Sequence, residues 1–170
     1  LIDKLISSFR MLVNAYGSAV MPNAAGTHQL GFKEWKRLKK QQNILLSTFC
    51  LVIGGIMFLF PEQLLTLLLM GKHENNLAFF MQVQQLIKII SIVPMLIALN
   101  VLNVTEIFLE KKYASYFGAG VFILFISLLS IDAFQLGLDS QYVGYYPLLI
   151  EAIALATSFF IVQRIRFAKS

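Results

Sequence analysis

The chain divides into predominantly apolar blocks of about the length that crosses a bilayer core, roughly 20 residues for a helix. The clearest lie at 43–60, 78–109, 113–133 and 142–162. Neither the short alternating runs of a half-buried sheet nor the single stripe of a soluble helix produces such blocks. Composition agrees, with 58% of the 170 residues hydrophobic and a mean hydropathy of +0.72. The expected fold class is an all-α, polytopic membrane protein, one transmembrane domain of about five spanning helices.

The first predicted helix covers residues 1–20 and stops at Met21-Pro22-Asn23, because proline has no N–H to offer the preceding turn. The chain opens at Leu1 inside an apolar run, without the basic region or cleavage site of a signal peptide, so an upstream part is expected to be missing. A basic amphipathic segment over 31–41 follows, with Phe32, Trp35 and Leu38 on one side of a short helix lying on the membrane surface. The second spanning helix is expected at 43–70, kinked at Pro61 and ending before Gly71, with Gly54-Gly55 permitting close approach of a neighbour. The third, 78–109, holds Pro94 near its middle. The fourth, 113–133, carries Ala114 with Gly118 and Ser115 with Ala119 at the small-xxx-small spacing of packed membrane helices. The fifth, 142–162, follows a polar loop around Gly137, Asp139 and Ser140.

A formal net charge of +5 raises the question of nucleic acid, but the cations cluster at block ends instead of forming one basic face, so nucleic acid is not expected as a partner. Lys33, Lys36, Arg37, Lys39 and Lys40 follow the first helix, Lys111 and Lys112 follow the third, and Arg164, Arg166 and Lys169 close the chain. The alternate loops hold only Lys72 between them, which places the basic loops and the C-terminus in the cytoplasm. Aromatic residues at block ends, among them Phe58, Phe60, Tyr113, Tyr116, Tyr142, Tyr145 and Tyr146, suit interfacial belts. Cys50 is the only cysteine, so neither an intrachain disulfide nor a thiolate metal site is expected. There is no phosphate-binding glycine loop and no paired-His or multi-Cys spacing, so no cofactor, metal or bond-breaking chemistry is expected. His73 reads as a solvated loop histidine, and Asn103-Val104-Thr105 as a glycosylation match inaccessible within a membrane helix.

What remains is a set of polar residues inside apolar blocks, where a charged side chain costs about 2.5–3.5 kcal/mol on insertion scales. Ser7, Arg10 and Asn14 fall within roughly 60° of one another around the first helix. Gln85, Lys88, Ser91, Asn103 and Glu106 share about a third of the third helix's circumference, and Glu151 lies on one face of the fifth with Pro147, Ala154 and Ser158. On one reading these faces line a water-filled cavity in which Arg10 and Lys88 meet phosphate oxygens, with Asn14, Asn103, Glu106 and Glu151 as further substrate-binding lining. On the other they pair among themselves, Arg10 or Lys88 with Glu106 or Glu151, and fasten the bundle. Glu106 is close enough to the interface to snorkel. The second helix, with only Ser47 and Thr48, is expected to face lipid or apolar neighbours.

Three stretches carry a family resemblance. They are Ala19-Val20-Met21-Pro22 before the basic segment Gly31 to Leu38, the proline-led run Phe60 to Gly71, and Glu110-Lys111-Lys112-Tyr113 with Leu148-Leu149-Ile150-Glu151 in the last helix. In this order the chain resembles the C-terminal part of bacterial polysaccharide or O-antigen flippases of the multidrug/oligosaccharidyl-lipid/polysaccharide exporter superfamily. The resemblance implies most of the second lobe of a two-lobe fold, paired with a missing N-terminal lobe of the same protein. It also implies that an undecaprenyl-diphosphate-linked oligosaccharide is flipped across the bacterial cytoplasmic membrane, within membrane lipids, by alternating access. A cation-coupled drug exporter of the same superfamily, with Glu151 as ion site, and a non-transporting membrane scaffold are the alternatives. A membrane glycosyltransferase would need clustered loop carboxylates, which the sequence lacks.

Overall fold

The structure is a computed structural model that describes residues 2–68, 77–135 and 145–168. The loop residues Lys72, His73, Glu74 and Asn75, with Gly71, Gly137, Asp139, Ser140, Tyr142 and Lys169, lie outside the described residues. Every described element is helical: α1 (Ile2–Leu30), α2 (Phe32–Leu59), α3 (Pro61–Leu68), α4 (Leu77–Ile90), α5 (Val93–Leu109), α6 (Tyr113–Gln135) and α7 (Tyr145–Phe167). Three spans among the described residues, Phe32–Leu59, Phe80–Leu109 and Tyr145–Phe167, are long and apolar enough to cross a membrane. The apolar part of α6, Tyr113–Leu129, is shorter. The protein is an all-α, multi-pass membrane protein.

Several helix ends differ from expectation. α1 does not stop at Met21 but passes through Pro22 to Leu30. Continuing costs the one hydrogen bond that Pro22 cannot donate, whereas ending there would leave the carbonyls of the last turn without helical partners. The basic segment 31–41 is not a separate surface helix: α2 begins at Phe32 and runs unbroken to Leu59. Lys39, Lys40, Gln41 and Gln42 are good helix formers and supply nothing that would stop it. The real break is Gly31, whose φ of 131° belongs to glycine. The expected long third helix is two helices, α4 and α5, joined at Ser91-Ile92. Pro94 lacks an N–H and its ring clashes with the carbonyl of residue 90, so the chain restarts rather than merely bends. Pro61 likewise starts α3 instead of kinking a continuous helix.

α5 is the centre of the bundle and packs against α7, α2 and α1. Its neighbours each bury one stripe: Ile6, Val13 and Ala24 on α1, Leu46, Cys50 and Met57 on α2, Val162 and Ile165 on α7. These spacings of three, four, seven and eleven keep a single face turned to α5. α2 is thus a core helix along this stripe, with its other face, including Ile44, Leu51 and Phe58, exposed. α6 is apolar all round and lies against α7, with Phe117, Leu124 and Phe125 exposed, as lipid contact requires. Its small-residue face meets no neighbour among the described residues: Ala114, Ser115 and Gly118 are exposed, and a Cβ on Gly118 would meet nothing within 4 Å.

Two glycines do mark close approaches. A Cβ on Gly54 would lie 2.4 Å from the backbone oxygen of Ser91. Met95 N–H, the donor that a continuous helix would aim at that carbonyl, bonds Ile92 O at 3.1 Å instead. A Cβ on Gly17 would lie 2.8 Å from Val101 Cγ2. A helical valine holds one preferred χ1, so the methyl has little freedom to turn away. Alanine in place of a helical glycine gains about 0.5–1 kcal/mol, and the off-rotamer Val101 costs about 0.5–1.5 kcal/mol, so Gly17→Ala is expected to forfeit that gain and leave the melting transition of the purified protein no higher than the parent's.

Candidate functional site

Polar side chains gather at two levels of the bundle. Toward the end where α7 begins, Arg10 of α1 donates from Nε to Glu151 Oε1 at 2.8 Å, and its Nη2 donates to the same oxygen. Glu151 is 8% exposed and Arg10 48% exposed, so the guanidinium bridges a buried carboxylate and the bundle's surface. Of the pairings open from sequence, this one is formed. Ser7 and Asn14, which flank the stripe of α1 that packs on α5, are exposed.

The second level is at the basic end. Glu106 of α5 is 2% exposed and accepts three hydrogen bonds. Lys39 Nζ reaches Oε2 at 2.7 Å, while Arg166 brackets the carboxylate with Nε to Oε1 at 3.0 Å and Nη2 to Oε2 at 2.9 Å. Lys39 Nζ also donates to Asn103 Oδ1 at 2.8 Å, and Asn103 Nδ2 donates to Ser158 Oγ at 3.4 Å. This network stitches α2, α5 and α7 together through buried charge-assisted bonds. Next to it, His28 Nε2 lies 2.8 Å from Glu110 Oε1, and the His28 ring meets Trp35 edge-on at 6.2 Å. Trp35 is therefore buried under the end of α1 and not laid on a membrane surface. Arg166 also sits over the Phe32 ring at 5.8 Å. The end of α1, the start of α2 and the ends of α5 and α7 consequently meet at one end of the bundle.

A cavity of about 740 Å³ opens between α2, α5 and α7 beside this network. Lys36, Lys39, Lys40 and Arg166 line its charged part with Asn43 and Asn103. The rest of the lining is apolar and includes Ile44, Leu96, Leu155, Ala156, Phe159 and Phe160.

The residues expected to form one pathway are thus distributed. Arg10 and Glu151 are joined, Asn103 and Glu106 are joined elsewhere, and Asn14 and Lys88 are exposed and contact neither group. Neither Arg10 nor Lys88 lines the cavity. Glu106 does not snorkel: it is enclosed and doubly paired, because Lys39 and Arg166 bring it counter-charge. Lys39 was hidden among solvated lysines, yet its spacing of four from Trp35 and seven from Leu46 sets it in register with the buried stripe of α2. That register is the signal that finds it. Arg166 reads equally well as a stop signal, and only the fold shows its partner. Among the described residues no three His, Cys, Asp or Glu side chains gather to hold a metal.

The chain matches no protein-family model, no curated protein and no solved structure.

Proposed function

We propose that the chain forms one wall of a transport pathway, in a flippase that moves an undecaprenyl-diphosphate-linked oligosaccharide across the bacterial cytoplasmic membrane. The observation that carries the reading is the exposure of polar side chains along α1 and α4. Ser7, Arg10 and Asn14 of α1, and Gln82, Gln85 and Lys88 of α4, lie on the outside of the bundle. Lys88 falls inside the apolar span Phe80–Leu109, where hydrocarbon would penalise it. Water or a second polar wall relieves that penalty, and a cationic hydrated cleft is what a diphosphate headgroup needs in order to cross. The basic end, with Lys39 and Arg166, is the cytoplasmic one on this reading.

The alternative of a cation-coupled exporter is weakened by the Arg10 guanidinium, which already supplies Glu151 with a positive counter-charge through two hydrogen bonds to Oε1. A pure scaffold gives no role to Lys88, which fastens nothing among the described residues.

Lys88→Gln tests the reading without touching a described ion pair. Surface polysaccharide export in the producing bacterium is expected to fall about tenfold at unchanged protein level, the effect of about 1.4 kcal/mol on a transport step. Export at the normal rate would remove Lys88 from the pathway.

A further inference from the structure

We propose that the cavity between α2, α5 and α7 is a separate binding site for an anionic phospholipid. The inference does not depend on the flippase reading, because Arg10, Asn14 and Lys88 take no part in lining it.

Charge is the first argument. Four cations, Lys36, Lys39, Lys40 and Arg166, border the cavity, and one carboxylate, Glu106, answers two of them. Lys36 and Lys40 are one helical turn apart on α2 and exposed, and neither enters the ion pairs formed among the described residues. Like charges at this spacing repel, and a phosphate between them turns that repulsion into attraction. Meanwhile Glu106 fixes Lys39 and Arg166, so the charged floor stands ready before any ligand arrives.

Shape and polarity are the second argument. Beyond the cations the lining becomes apolar, with Leu155, Phe159 and Phe160 from α7. Its rim residues Ile44 and Phe160 are 58% and 69% exposed, so the apolar part opens on the flank of the bundle where acyl chains lie. Free phosphate would satisfy the charged part and leave the apolar part unmatched. A phospholipid fills both, with its headgroup at the basic end and a chain along the phenylalanines. Basic pockets between membrane helices on the cytoplasmic side are suited to anionic headgroups by the same electrostatics.

The test is lipid binding by the purified protein, followed by native mass spectrometry and by thermal stabilisation in detergent. Phosphatidylglycerol is expected to remain bound and to raise the melting transition, while phosphatidylcholine and inorganic phosphate at equal concentration do neither. Lys36→Gln with Lys40→Gln should weaken phosphatidylglycerol binding roughly 30-fold, at about fivefold per cation. Both positions are exposed, so the fold survives the change. Ala156→Trp, which fills the apolar part without altering charge, should also displace the lipid. Equal retention of phosphatidylcholine, competition by inorganic phosphate alone, or unchanged binding in both variants would overturn the proposal. Loss of export in Lys88→Gln with lipid binding intact, or the reverse, separates this site from the transport pathway.

Discussion

Glu106→Gln is expected to lower the melting transition of the purified protein by roughly 6–20 °C. The substitution preserves shape but withdraws the charge that Lys39 and Arg166 contact at 2.7 to 3.0 Å. Arg166 is 27% exposed and can turn toward water, whereas Lys39 is 8% exposed and is left as a buried ammonium without a counter-ion. Breaking a buried pair on one side costs about 3–5 kcal/mol, and each kcal/mol moves the transition of a domain this size by roughly 2–4 °C. Pairing the change with Lys39→Met removes the stranded charge and should recover much of the loss, since apolar replacement of a whole buried pair is often neutral. A double variant as unstable as the sum of the two singles would show that the residues act independently.

Gly54→Ala is the second large effect. The new methyl would sit 2.4 Å from the Ser91 carbonyl, and that obstacle is backbone, which cannot rotate aside as a side chain can. Separating α2 from the α4–α5 junction should cost about 1–3 kcal/mol or more, as overpacking does, and the yield of monodisperse protein should fall with it. Gly55→Ala supplies the control, since its Cβ meets nothing within 4 Å. If both variants melt together with the parent, the approach at Gly54 is not a constraint.

The glycine pair shows how far sequence carries such a fold. Gly54-Gly55 announces a close contact somewhere on that helix, but which glycine faces a neighbour depends on rotation about the axis. The apolar blocks announce spanning helices because their length and uniformity are set by the bilayer, a solvent whose thickness is known in advance. Helix ends are less legible. Pro61, Pro94 and Gly31 interrupt the backbone, yet Pro22 does not, so the presence of a proline does not by itself fix where a helix ends. The candidate site was legible by halves. Arg10 with Glu151, and Asn103 with Glu106, announce themselves as polar residues in apolar blocks. Lys39 and Arg166 stand beside four further Lys and Arg residues and two respectively in their basic stretches, so charge alone does not single them out.

The two ion-paired levels also bear on mechanics. Arg10 ties α1 to α7 toward one end, and Glu106 ties α2 and α5 to the same α7 toward the other. A helix clamped near both ends cannot splay from its neighbours without stranding a carboxylate that is less than one-tenth exposed. Large motion is therefore cheaper when these four helices travel as one stiff block, pivoting against whatever lies alongside.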